Sequence, residues 1–282
     1  MVKIGLAGWG DHNRLYSKTN SKSRLKEYSE HFQVVEVDSS FYALHNPNQY
    51  EKWVTDTPSD FGFIIKAFRG LTGHDRGSTN TMTKTAMFHA FKDSIFPASQ
   101  SGKLIAVLFQ FPPWFACNRD SVQMLRLTKD LMGHVPVALE FRNQTWYTEE
   151  MRDKTLEFMK QEGWIHSICD EPQAGVGSVP TVLEATNREL TIVRMHGRNV
   201  AGWKSGGQSN WRDVRYLYDY NIEELIDWRN KIEKLQQQTN QIYTIFNNNS
   251  GGHAAANAKQ LMELFNLKTK DLLPIQVDLF DL

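Results

Sequence analysis

Cysteine is nearly absent from this chain of 282 residues: there are two, Cys117 and Cys169, far apart and in no C-x-x-C spacing. That excludes a disulfide framework and a cysteine-type structural zinc site, and it fits a reducing, cytoplasmic setting. No apolar stretch approaches the length that spans a bilayer, and Met1 leads through Lys3 directly into a strand-like segment, so neither a secretory leader nor a membrane span is expected. Charge of one sign is lacking as well. The 32 basic side chains balance 32 acidic ones, so no global field draws the molecule to nucleic acid or to a charged membrane, and any polyanion binding must be local. A Gly-rich phosphate fingerprint is also missing after the first strand-like segment, which weakens the case for an open doubly wound sheet.

What is present is an alternation of two patterns. Short β-rich runs fall at 2–8, 33–38, 61–67, 103–110, 135–142, 164–170, 190–196 and 241–247. Helix-like stretches near 22–31, 47–56, 83–96, 119–132, 148–162, 221–238 and 254–266 separate them, and only 171–189 lacks one. Pro47 suits a first helical turn, and Asn221 with Glu224 three residues on suits a capping box. Strands that alternate with helices pair in parallel, and eight repeats of the unit favour closure into an α/β, single-domain (β/α)8 TIM barrel over 1–270, with 271–282 as a tail.

In such a barrel the chemistry sits at the carboxyl ends of the strands. Polar residues stand there in seven of the eight runs: Glu36 and Asp38, Lys66, Gln110, Glu140 and Arg142, Asp170, Arg194 and His196, and Asn247. Residues two apart share a face of a strand, so Glu36 with Asp38, Glu140 with Arg142, and Arg194 with His196 are expected to converge on the axis as pairs. Glu36, Glu140, Asp170, Lys66 and His196 form the candidate catalytic set. Glu36 or Glu140 is the expected general base of a hydrolase or of a lyase or isomerase, with Lys66 or His196 as acid or electrostatic stabiliser. The same charges could equally form a salt-bridge plug that stabilises the barrel mouth. They nearly neutralise one another, so no cofactor or metal is required; a divalent ion on these carboxylates and His196 stays an open alternative.

Two loops point to a substrate class. Arg69 through His74 to Arg76, and His196-Gly-Arg198 through Trp203, Trp211, Arg212 and Arg215, interleave cations with aromatic rings, which suits a phosphate with a stacked base or sugar. The two tryptophans could also simply pack a long loop onto the barrel. The run Asn247-Asn248-Asn249-Ser250-Gly251-Gly252 opens the last helix and reads either as an anion pocket or as ordinary capping. The expected binding set is Trp9, Asp38, Tyr42, Arg69, Arg76, Gln110, Arg142, Arg194, Arg198, Asn247, Asn248 and Asn257.

The motifs GLAGW (5–9), VEVDSSFY (35–42), KAFRGLTGHDR (66–76), FQFPPWF (109–115), ALEFRNQTWY (138–147), ICDEP (168–172), RMHGR (194–198) and FNNNSGGHAAANA (246–258) occur in order along nearly the whole chain. Together they resemble the YecE-like family, domain of unknown function seventy-two. The resemblance implies a TIM barrel and recurring polar positions at Glu36, Lys66, Arg69, Gln110, Glu140, Arg142, Asp170, Arg194, His196, Arg198, Asn247 and Asn257; it implies no reaction. The chain departs from it at Asp38, where the family more often has Asn, and in the loop 11–24. Near the end, Gln276-Val277-Asp278-Leu279-Phe280 resembles the peptide that docks bacterial replication and repair proteins on the sliding clamp, with Leu279 and Phe280 as apolar anchors and Gln276 fixing the register. Leu279 and Phe280 could instead fold back on the barrel. The expected function is a site for a phosphorylated or nucleic-acid-derived substrate, tethered to the clamp. The alternatives are a non-catalytic clamp-associated binding module and a sugar or sugar-phosphate enzyme with an unrelated tail.

Overall fold

Eight parallel strands close on themselves in sequence order: β1 (Val2–Ala7), β2 (Val34–Val37), β3 (Gly62–Lys66), β4 (Leu104–Gln110), β5 (Val137–Glu140), β6 (Ile165–Asp170), β7 (Leu190–Met195) and β8 (Gln241–Phe246). The computed structural model describes residues 1–16, 24–75, 82–204 and 214–267. The ring is sealed where β1 pairs with β8 from Val2 opposite Ile242 to Leu6 opposite Phe246. Eight helices are described around it: α1 (Arg24–His31), α2 (Pro47–Asp56), α3 (Lys84–Gln100), α4 (Arg119–Met132), α5 (Arg152–Gln161), α6 (Val200–Lys204), α7 (Ile222–Leu235) and α8 (Ala254–Leu264). The expected barrel is therefore the observed one, and 171–189 crosses from β6 to β7 without a helix. Among the described residues no helix is long and apolar enough to cross a membrane.

Local chemistry accounts for several boundaries. Asn46 caps α2 ahead of Pro47 by accepting from the Asn48 amide at 3.0 Å. The Asn221–Glu224 capping box is complete in both directions, at 2.9 and 3.0 Å. Helix α3 runs past its expected end through Pro97 to Gln100, because Ile95 and Ala98 on its last turns are buried against the barrel and outweigh the lost amide. Gly5 is needed for closure: a Cβ there would lie 2.1 Å from the Val34 carbonyl oxygen of the neighbouring strand.

Two apolar layers set the direction in which each strand residue points. Val35, Val37, Phe63, Ile65, Val107, Phe109, Leu139, Val193 and Phe246 pack outward against helix residues such as Tyr28, Phe88 and Trp228. Val34, Ile64, Ala106, Leu108, Ala138, Ile165, Ile192, Tyr243 and Ile245 fill the inside. With a period of two, the inner files continue upward as Val34-Glu36-Asp38, Ile64-Lys66, Leu108-Gln110, Ala138-Glu140-Arg142, Ile165-Ser167-Cys169-Glu171, Ile192-Arg194-His196 and Ile245-Asn247. The barrel is thus apolar low down and ionic at its carboxyl rim.

Candidate functional site

Arg194 organises the rim. Its Nε and Nη2 donate to the two oxygens of Glu36 at 2.9 and 2.6 Å, and its Nη1 donates to Glu140 Oε2 at 2.7 Å and, more weakly, to Gln110 Oε1 at 3.4 Å. Arg142 Nη2 lies 2.6 Å from the other Glu140 oxygen, Oε1, and Arg142 Nη1 donates to Glu171. Glu171 Oε1 in turn accepts from the Val179 amide at 2.6 Å. All five side chains are buried, so a chain of alternating charge Glu36–Arg194–Glu140–Arg142–Glu171 crosses the barrel with no water between its members.

The electrostatics follow from that order. Burial pushes the Glu140 carboxyl up, but the two guanidiniums of Arg142 and Arg194 overcome it and hold it well below the usual carboxylate range. Burial raises Glu36, which has the Arg194 fork in its favour and the Asp38 charge against it. Glu171, wrapped by protein and facing Glu140, is raised by burial to about 7. His196 lies between Arg142 Nη2 at 2.8 Å and Arg194 Nη1 at 3.4 Å; burial and these cations hold its pKa well below the usual value, so the ring is neutral. Because both guanidiniums can only donate, Nε2 is the accepting nitrogen and Nδ1 carries the proton. The Asn247 carboxamide lies 2.9 Å from Nδ1, and with that tautomer its oxygen is the group that faces the ring.

Above this buried layer opens a cavity of about 700 Å³. Its walls carry four cations, Lys66, Arg69, Arg142 and Arg215, and two carboxylates, Asp11 and Asp38, while Asp75, Glu140 and Glu171 behind the lining pair with Arg69 and Arg142, so most of the positive charge is compensated. Lys66 donates to Asp38 Oδ1 at 2.8 Å, the ammonium 11% and the carboxylate 39% exposed. Burial opposes the Lys66 charge, but Asp38 outweighs it and the pKa is raised. Arg69 pairs with Asp75. Arg142 and Arg215 approach one indole ring, Trp203, at 5.5 and 3.7 Å from its centroid. Tyr42, Phe41, His74 and Trp114, also in the lining, form a chain of edge-to-face rings 5.1, 4.9 and 5.8 Å apart. Burial and the neighbouring cations lower His74 to about 4, so it too is neutral.

The structure brings together Glu36, Lys66, Glu140 and His196 of the expected catalytic set, and Asp38, Tyr42, Gln110, Arg142, Arg194 and Asn247 of the expected binding set. Arg69 of that set lines the cavity as well, paired with Asp75. Asp170 is the correction. It points outward from β6, where it accepts from Arg198 Nε at 3.0 Å and from the Tyr220 hydroxyl at 2.8 Å, while Arg198 Nη1 donates to Glu224 at 3.0 Å. Asp170 and Arg198 thus tie the segment before α7 to the barrel rather than meet Arg194. Asn248 and Asn257 belong to the same outer tie: the Asn257 side-chain oxygen accepts from the Tyr220 amide at 3.1 Å and from Asn248 Nδ2 at 2.9 Å. Trp9 packs edge-on against Trp53 at 5.1 Å, off the cavity wall. Arg76, Trp211, Arg212, Gln276, Leu279 and Phe280 lie outside the described residues.

Sequence reasoning missed Glu171, Cys169, Trp114 and Tyr216. The first two were readable in principle, since 165, 167, 169 and 171 form one file; yet His166 and Asp170 make the other file of β6 equally polar, so period alone does not choose between them. The two rings sit on loops, whose course no periodicity gives.

Among the described residues, Glu140, Cys169 and His196 bring ligand atoms within 4.8 Å of one another. Arg142 and Arg194 already engage both Glu140 oxygens and Nε2 of His196, and burial holds the Cys169 thiol well above its usual pKa. A cation placed there would meet two guanidiniums at hydrogen-bond range, so the trio does not fit a metal, and without Asp170 the expected carboxylate set does not assemble either.

The profile of the family described as "Protein of unknown function DUF72" matches residues 3–278. The UPF0759 protein YunF of Bacillus subtilis (strain 168) is 54% identical over 282 residues, covering 99% of this chain and 100% of that protein. A DUF72 family protein of Enterococcus faecalis V583 superposes with a TM-score of 0.91 at 36% identity, over 99% of this chain and 100% of its own. One from Thermotoga maritima MSB8 gives 0.80 at 27% identity, over 94% and 99%.

Proposed function

The chain belongs to the DUF72 family, and from the chemistry of its barrel mouth we propose that it binds a small phosphorylated compound, a phosphate joined to a base or sugar, at the carboxyl rim. The observation that carries this reading is a cavity of about 700 Å³ whose lining joins four cations, Lys66, Arg69, Arg142 and Arg215, to a row of aromatic rings. Volumes of this order suit small-molecule ligands. The phosphate belongs on the Arg142 side, where the buried carboxylates hold a guanidinium fork in place before any ligand arrives. The organic part belongs against Tyr42 and Trp114, which are 44% and 47% exposed while lining the cavity.

The geometry favours holding a ligand over proton abstraction by the two glutamates. Every oxygen of Glu36 and Glu140 is engaged by a guanidinium, and neither carboxyl reaches the cavity wall. Proton transfer to or from a ligand belongs instead to Asp38 and Lys66, a carboxylate–ammonium pair that does line it. Adenosine 5′-monophosphate is therefore expected to bind saturably by calorimetry and roughly 10–100-fold more tightly than adenosine, the value of one or two charge-assisted hydrogen bonds. Equal affinities, or no saturable binding of either, would remove the proposal. Trp114→Ala should weaken the nucleotide by roughly tenfold and leave ribose 5-phosphate nearly unchanged, since a stacked base contributes about 1–3 kcal/mol.

For the tail we propose docking on the sliding clamp, supported by Gln276, Leu279 and Phe280 in the sequence alone. The double variant Leu279→Ala, Phe280→Ala should lose at least tenfold in affinity for purified clamp, because the two apolar anchors carry such a motif. Unchanged binding would sever the link to replication.

A further inference from the structure

Glu171 is one of the two buried carboxylates that hold Arg142, and it is in a position to control the anion site. Its side chain is fully buried, one oxygen on Arg142 Nη1 and the other on the Val179 amide. Arg142 is the cation it shares with Glu140, and Arg142 is also the member of the buried chain that reaches the cavity. We propose that Glu171 is a proton switch on the anion site: protonation releases Arg142 from one of its two carboxylates and adds one positive charge beneath the cavity, so an oxyanion and a proton are taken up together.

The surroundings leave Glu171 as the group that answers to pH. It is faced by Arg142 and Glu140 from β5 and the turn after it, Cys169 from β6, Tyr147 from the turn before α5, and Arg215 from the segment before α7. Glu140 stays ionised, its pKa held well below the carboxylate range, while burial keeps the Cys169 thiol and the Tyr147 phenol protonated far above neutrality. His196 is neutral, and His74 in the cavity wall is lowered to about 4, so neither ring changes charge near pH 7. Glu171, raised by burial to about 7, does. An anion lodged at Arg142 competes for the guanidinium and repels the Glu171 carboxylate, which favours its protonated form; by linkage, the proton favours the anion equally. The proposal rests on the anion site described above and adds its regulation.

Sulfate is the discriminating probe because its own charge does not change across the window. By calorimetry its affinity should tighten roughly tenfold as pH falls from about 8.5 to about 6, the equivalent of one pKa unit of coupling. Glu171→Gln, fixed in the uncharged state, should bind at the tight limit throughout and show no slope. A flat profile in the unaltered protein, or a slope that survives in Glu171→Gln, would overturn the switch while leaving the anion site standing. Absence of sulfate binding at every pH would overturn both.

Discussion

Arg194→Met is expected to lower the stability of the fold by about 3–5 kcal/mol, the largest effect of any single change at the rim. The substitution preserves much of the apolar stem but strips three charge-assisted hydrogen bonds from Glu36 and Glu140. Glu36 is then a buried carboxylate with no cation bound to it, and the fold must protonate it, hydrate it or open. A cation in this place is not valuable for its own sake, because an ion pair taken out of water roughly breaks even against well-packed apolar groups. The cost arises from leaving the partners charged. Adding Glu36→Gln and Glu140→Gln to Arg194→Met should therefore recover a good part of the loss in denaturant unfolding, and a triple variant no better than the single one would show that the charges are not the cause.

Arg142→Lys is expected to weaken sulfate and nucleotide binding by roughly 10–100-fold, from the loss of about 1.5–3 kcal/mol of charge-assisted bonding to the ligand. An ammonium at this position still neutralises Glu140 and Glu171, so the stability loss should be well below that of Arg194→Met. What disappears is the planar fork, which can hold Glu140, Glu171 and a ligand oxygen at once. Comparing the two variants separates the roles: one arginine secures the barrel, and the other presents charge to the cavity. Binding retained in Arg142→Lys would place the anion elsewhere on the rim.

Much of this arrangement was legible before any coordinates. Strand-like and helix-like segments alternate clearly enough to specify a closed parallel barrel, and spacing by two put Glu36 with Asp38, Glu140 with Arg142 and Arg194 with His196 on the inner face. The pairs are inward because the residues two positions lower, Val34, Ala138 and Ile192, fill the barrel interior. Asp170 shows the limit of that reasoning. Both faces of β6 alternate polar with apolar side chains, and the choice between them is made by register against β7, where Cys169 lies opposite Arg194. Glu171 escaped for the same reason. Nor does sequence spacing reveal which of two carboxylates can act as a base. Glu36 and Glu140 carry the expected residue type at the expected height, but their oxygens are spent on Arg194 and Arg142, a fact of packing between strands distant in the chain.

The central claim is that an oxyanion rests against Arg142 at the rim of the barrel. Crystals soaked in selenate test it directly, since the anomalous signal marks the anion without assumption about its partners. The account predicts a peak within hydrogen-bonding reach of the Arg142 guanidinium, inside the cavity bounded by Lys66, Arg215 and Asn247. A strong peak elsewhere on the molecule with this cavity empty of selenium would contradict it.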